Sequence, residues 1–515
     1  MSSTFAKVHS AQTFLLESYI VDCEVDLSLG LHAFTIVGLP DKAVEEARDR
    51  ISAAIKHSGF ESPKSKNQKV VISLAPAHLK KEGPSFDVPM ALSYLLASGE
   101  MHFDPQQKLF IGELSLNGDI RGVHGVLPLV QKALQKGFKE VYVPKENAEE
   151  AALIRGITIY GVENLKTLVE HLHTPTKGET GVAHKKILPQ KETVITPSTH
   201  PHTTDIADIK GQESAKRGLL IAAAGGHNIA LFGPAGTGKT MLARAMQGIL
   251  PTLSYEEILE VTSIYSVAGL LKEPYITTTP YRAPHHTASY VSLVGGGAFP
   301  KPGEVTLAHR GVLFMDEFPE FERRVIDALR QPLEDRVVSI NRQRGSGVFP
   351  ANFILIVAFN PCPCGNYGSQ KPCRCNPGDI IRYQKKISGP IADRIDMWIE
   401  VPLLAYDTLT QKQHTDDSAT YTKKIIAAKE RAGKRYSTLG KTRSADLSAK
   451  ELEMYVHLHE TVRKLLIRSS EKLMLSARSY HKVIKVARTI ADLEESKNIT
   501  EAHLLEALQY RQKIH

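Results

Sequence analysis

Cysteine is scarce in this chain: five in 515 residues, four of them between Cys362 and Cys375. Thiols so few and so clustered exclude the disulfide framework of a secreted domain and point to a local metal or redox site. Long apolar runs are missing as well. No stretch approaches the roughly 18 apolar residues of a bilayer-spanning helix. Lys7, His9, Glu17, Asp22 and Glu24 interrupt the N-terminus where a secretory leader would be apolar. The sequence therefore reads as cytoplasmic, with no membrane partner. It shows no long-range repeats, and neither sign of charge dominates. The 64 Lys and Arg against 56 Asp and Glu leave +8, which permits a polyanionic partner such as nucleic acid without requiring one. The remainder is ordinary for a globular protein, 42% hydrophobic and 23% charged, in a length suited to about three domains.

Residues 1–172 alternate strand-like and helix-like segments. Phe34–Gly38, Lys69–Leu74 and Val141–Val143 predict strands, and Lys42–His57, Val88–Ala97 and Leu129–Gly137 predict helices. Residues 173–204 are polar, rich in Pro and Thr and aperiodic, as a linker is. Residues 205–403 carry the pattern of a nucleotide-binding core. In residues 404–515 apolar spacing near 3.6 predicts helices over Tyr421–Lys434, Ala449–Arg468, Arg478–Glu495 and Ala502–His515.

The core opens on Gly233, Pro234, Ala235, Gly236, Thr237, Gly238, Lys239 and Thr240, which fit G-x-x-x-x-G-K-[ST] at every fixed position. An apolar strand, Asn228–Phe232, precedes the loop, and a helical pattern from Met241 follows it. Glycines let backbone N–H groups close on phosphate oxygens, and a helix N-terminus favours the anion. Lys239 would reach the β- and γ-phosphates, and Thr240 would hold Mg²⁺. A second apolar strand ends in Asp316 and Glu317. Asp316 suits Mg²⁺ binding and Glu317 suits polarising the attacking water. A third, Phe353–Phe359, ends in Asn360, either a γ-phosphate or water ligand or a plain turn residue. Arg394 is placed either to reach a neighbouring subunit's γ-phosphate or to pair with Asp393 or Asp396. Arg478 opens a helix and either touches the same phosphate or is simply solvated.

Together these residues resemble an AAA+ ATPase. The longer segments Arg282–Ala288, Val294–Gly297, Lys301–His309, Asn360–Gly365, Asp393–Asp396 and Ser476–His481 resemble its magnesium-chelatase-like branch, and within it the YifB/ComM group, over nearly the whole length. The resemblance implies an α/β fold: an AAA+ P-loop core in a homo-hexameric ring and a C-terminal α-helical lid. It also implies an insert near 265–305 and a hairpin near 336–350. ATP and Mg²⁺ would be its cofactors. Members of the ComM type are taken to be helicases driving branch migration of DNA during natural transformation. A ring of this kind would handle single-stranded and branched DNA without reading its sequence, alongside recombination proteins. Arg342 and Arg344 sit at the hairpin tip with Gly345, either tracking a phosphate backbone or merely solvated. Lys301, His285 and His286 are weaker candidates. A metal-insertion or remodelling chaperone like magnesium chelatase is the other class of function.

The segment Lys80–Pro89 resembles the nucleophile segment of Lon-type proteases, with Ser85 after Gly-Pro. This implies a Lon-protease-like (ribosomal S5-like) α/β domain at the N-terminus. The matching place for the lysine base holds Leu127, and no lysine lies between Lys108 and Lys132. A leucine cannot act as a base, so the domain reads as inactive, ahead of the weaker idea that His124 substitutes. It would serve ring assembly or DNA contact. Cys362, Cys364, Cys373 and Cys375 form a C-x-C…C-x-C set. They either hold a structural Zn²⁺ that fixes the loop after Asn360 or remain free thiols.

Overall fold

In the computed structural model, residues 4–174, 186–196, 204–297, 301–342, 345–369, 371–405 and 416–512 are described. The chain divides into two units, Met1–Thr196 with Tyr255–Ile276, and Pro197–Ser254 with Thr277–His515.

The first unit is built on a seven-stranded sheet. Across it the strands run Ala33–Val37, Gln68–Ala75, Glu17–Leu29, Phe5–Phe14, Lys108–Phe110, Glu140–Pro144 and Thr158–Val162. The antiparallel pair Phe5–Phe14 and Glu17–Leu29, in register from Phe5 opposite Asp26 to Phe14 opposite Glu17, lies at the centre and has no counterpart in the sequence expectations. Alternation places Val8, Val21, Cys23 and Val25 in the core. The helix Lys42–His57 has the limits its spacing predicts. Asp41 caps it by accepting from the Val44 N–H at 2.9 Å, and Val44, Ala47, Ile51 and Ile55 are buried on one face. The helix expected from Leu129 starts earlier, as Val126–Gln135, because Gly125 turns the chain through a left-handed conformation (φ 75°).

Two segments join this unit that the sequence assigned elsewhere. Part of the linker, residues 186–196, is docked rather than free. Gln190 N–H donates to Ile159 O at 2.8 Å and Thr193 N–H to Ala152 O at 3.1 Å, with Ile187 and Ile195 packed on the apolar clusters. The helix Tyr255–Ala268 also packs here. Its Tyr255 hydroxyl donates to Leu153 O at 2.6 Å, and Ser266 Oγ donates to Glu150 Oε1 at 2.5 Å. Burial pushes the Glu150 carboxyl up against the pull of Ser266 and the Leu127 N–H.

The second unit holds a five-stranded parallel sheet in the order Tyr281–Arg282, Val312–Met315, Ile354–Phe359, Ile229–Phe232 and Met397–Glu400. Its three central strands are buried along their whole length, as a sheet covered on both faces requires. The hairpin Val337–Arg342 with Gly345–Pro350 stands as a separate pair. Helices Ser418–Arg435, Ala477–Leu493 and Glu501–Gln509 follow the predicted spacing. The expected helix Ala449–Arg468 is instead two, Ala449–Tyr455 and Glu460–Lys472. Between them Val456 is extended (φ −122°, ψ 95°) and buried, with Leu458 packed against the same core. Packing overrides the helical period there. The last predicted helix stops at Gln509, and residues 513–515 lie outside the described set.

Candidate active site

Three neighbouring parallel strands deliver the site to one edge of the sheet. Phe232 is in register with Phe359, and Met315 with Val357, so Gly233, Asp316 and Asn360 all leave from the carboxyl ends. Ligands of open parallel sheets bind at that edge. The phosphate loop needs its glycines for separate reasons. A Cβ on Gly233 would meet Val401 O at 2.2 Å. Gly236 and Gly238 are left-handed (φ 78° and 89°), a conformation that favours glycine, and a Cβ on either would project into open space. Thr237 Oγ1 donates to Pro234 O at 3.1 Å and braces the turn. The helix Lys239–Ile249 begins directly after it.

Lys239 is 8% exposed. Its amine donates to Gly233 O at 2.8 Å, Pro234 O at 2.7 Å and Asn360 Oδ1 at 3.1 Å. Burial pushes this ammonium down to about 8, against an upward pull from Asp316. Thr240 Oγ1 donates to Asp316 Oδ2 at 2.8 Å. A hydroxyl and a carboxylate converging in this way fit the oxygen-only preference of Mg²⁺. Glu317 takes a left-handed conformation (φ 49°), and its N–H donates to Asp316 Oδ1 at 2.9 Å. That conformation is unfavourable for a residue with a Cβ and marks Glu317 as a candidate for function. The structure adds a partner that spacing did not single out for this role. His286 Nδ1 lies 3.3 Å from Glu317 Oε2, and its ring lies 4.1 Å from that of His285. A His-His pair ahead of two carboxylates is the only sequence signal that could have suggested it.

Arg394 does not pair with Asp393 or Asp396. Its Nη2 pairs with Glu334 and its Nη1 donates to Pro390 O at 2.6 Å. Arg478 Nη2 reaches the same carboxylate at 3.4 Å. The two arginines are thus gathered on Glu334, whose carboxyl the Arg394 hydrogen bond holds low. Asp396 instead accepts from the Asn228 N–H at 3.0 Å, at the entry to the loop strand. Lys301 is exposed in a short strand paired with Gly295–Gly296. Arg342 ends the first strand of the hairpin, but its side chain and the whole of Arg344 lie outside the described residues.

The cysteines come together. Cys362, Cys364, Cys373 and Cys375 place all four sulfurs within 4.8 Å of one another. The cluster sits in the loop that follows Asn360, and Ala235 of the phosphate loop donates its N–H to Gly365 O at 3.2 Å. In the N-terminal unit Leu127 is fully buried and its N–H donates to Glu150, while His124 is exposed. Among the described residues no helix is long and apolar enough to cross a membrane.

Family models match three stretches of the chain: "Magnesium chelatase, subunit ChlI" over residues 205–409, "Subunit ChlI of Mg-chelatase" over 23–147, and "Magnesium chelatase, subunit ChlI C-terminal" over 415–511. Competence protein ComM of Haemophilus influenzae is 41% identical across 99% of this chain and 98% of its own length. The uncharacterized protein YifB of Salmonella typhimurium is 41% identical across 99% and 97%. The magnesium-chelatase 67 kDa subunit of Heliobacterium mobile is 24% identical across 41% of this chain and 36% of its own.

Proposed function

The chain belongs to the magnesium-chelatase-like AAA+ family that includes ComM and YifB, and we propose that it is an ATP-hydrolysing DNA motor working as a hexameric ring. The observation that carries the ATPase reading is the convergence of Lys239, Thr240, Asp316, Glu317 and Asn360 at one sheet edge. Lys239 trades its loop carbonyls for phosphate oxygens. Thr240 and Asp316 would hold Mg²⁺, which when bound neutralises charge on the β- and γ-phosphates. Glu317, oriented by its strained backbone and by His286, polarises the attacking water. Asn360 couples the Lys239 amine to that water's position. Arg394 and Arg478 complete the site of a neighbouring subunit.

Branch migration of single-stranded and branched DNA in natural transformation is supported by the name of the competence relative, by the net charge of +8 and by the basic hairpin. Arg342, Arg344 and Lys301 would contact the phosphate backbone without reading bases. In this reading residues 1–172 form a Lon-like domain that is inactive because buried Leu127 stands where a base is needed, 173–204 a connector, 205–403 the ATPase core and 404–515 the lid. The protein works in the cytoplasm beside recombination proteins, and a zinc ion occupies the cysteine set. A remodelling or metal-insertion role is favoured by the family models' descriptions and by the partial match to the 67 kDa subunit.

Three- and four-strand DNA junctions incubated with ATP separate the two. The motor reading expects strand exchange by the wild type and none by Glu317→Gln, together with ATP turnover that rises on adding DNA. Turnover without any junction movement rules out the motor and leaves the remodelling role.

A further inference from the structure

We propose that the four cysteines form a zinc clasp whose occupancy sets the conformation of the phosphate loop, so that metal loading regulates the nucleotide site; this deepens, and rests on, the nucleotide-site reading. Three of the sulfurs have the spacing of a tetrahedral metal site, and the fourth, that of Cys375, lies within 4.8 Å of them. Cys362 and Cys364 sulfurs are 3.5 Å apart, Cys364 and Cys373 3.6 Å, and Cys362 and Cys373 3.7 Å. A tetrahedron with Zn–S bonds of about 2.3 Å has edges of about 3.8 Å. A disulfide would need about 2.05 Å, and none of these pairs approaches it.

The clasp closes a loop that has little else to order it. Between Asn360 and Asn376 the described residues contain no helix or strand. Within that loop Gly365 is the bridge. Its N–H donates to Cys362 O at 3.1 Å, and its C=O accepts from Ala235 N–H at 3.2 Å. A Cβ on Gly365 would lie 3.3 Å from Ala235 Cβ and 3.5 Å from Asn360 Nδ2, so glycine packs against the phosphate loop and the Asn360 amide together. Cys362 is buried, and its sulfur accepts from Tyr367 N–H at 3.3 Å. Asn360, two residues before it, holds the Lys239 amine. Metal at the sulfurs therefore fixes one end of each of two links to the loop that cradles phosphate. Loss of the metal frees the loop residues to recover backbone entropy. Both links then slacken, at Ala235 and at Lys239.

The test uses full-length protein. Metal content is measured by elemental analysis, and half the sample is stripped with a zinc chelator, cleared of it and returned to Mg²⁺. ADP binding is then followed by calorimetry alongside ATP turnover and the far-ultraviolet circular dichroism. We expect about one zinc per chain as purified. Stripping lowers turnover on the order of a hundredfold and weakens ADP binding while the helical signal is kept, and Zn²⁺ alone restores both. Gly365→Ala leaves every thiol in place and is expected to keep its zinc yet bind ADP as poorly as the stripped wild type. Equal ADP binding by loaded and stripped protein overturns the clasp, as does wild type that binds ADP but contains no metal. Loaded wild type that fails to bind ADP overturns the nucleotide site itself, a result distinct from both.

Discussion

Glu317 shows how much of this site is decided by single side chains. Its backbone is left-handed, its N–H is tied to Asp316, and its carboxylate meets His286. His286→Ala should lower ATP turnover by up to about fivefold, the worth of one partly exposed ion pair, while ADP affinity stays at the wild-type value in calorimetry. An equal fall in both would place His286 in binding instead. Asp396 makes a second prediction at this scale. Burial alone would raise its carboxyl, but the His227 ring, the Lys482 ammonium and the Asn228 N–H outweigh burial and hold it well below the usual carboxylate range. A carboxyl lowered by folding adds stability above its unfolded value near 4, and that contribution is lost as pH falls further. The thermal midpoint should therefore drop between about pH 4 and pH 2 in the wild type, and less steeply in Asp396→Asn. Parallel slopes for the two would remove Asp396 from the acid response.

At the scale of elements, helix Ser418–Arg435 is fastened to helix Ala477–Leu493 through one carboxylate. Arg435 grips Asp492 with both nitrogens at 2.8 and 2.6 Å, and Arg488 adds a contact at 3.0 Å. Asp492 is 3% exposed, so Asp492→Ala leaves two guanidinium groups without their counter-ion and should cost about 3–5 kcal/mol. A shift in the denaturation midpoint measures it, and a change below about 1 kcal/mol would mean that solvent already screens the group. What could be read in advance follows the reach of each signal. Apolar spacing and a capping aspartate delimit Lys42–His57, and the phosphate loop declares itself because all its residues are consecutive. The hairpin Phe5–Phe14 with Glu17–Leu29 escaped notice because polar residues such as Ser10 and Gln12 interrupt its apolar alternation. The split at Val456 depends on what that residue packs against. Nothing local announces that Arg394 and Arg478 would meet on Glu334, or His286 on Glu317, because those pairings are made by the fold across distant segments.

For the whole molecule, the ring expectation turns on those two arginines. Glu334 is 53% exposed and Arg478 41%, so that pair is weakened by solvent, whereas Arg394 is 11% exposed and must swing out of its pair with Glu334 to meet a neighbour's triphosphate. If Arg394 serves a neighbour, Lys239→Ala and Arg394→Ala should each be inactive alone, while mixtures regain ATP turnover. Mixtures as inactive as the parents would confine the site to one chain. One feature bears on how such a protein can change over generations. The segment Tyr255–Ile276 lies in sequence between the phosphate loop and the carboxylate strand, yet it belongs to the first unit. The polypeptide passes from one unit to the other after Thr196, after Ser254 and after Ile276. A gene cut at the first crossing would strand Leu259 and Tyr275 without the apolar cluster they pack against. The N-terminal unit is therefore not a cassette that recombination at a single junction could remove or replace.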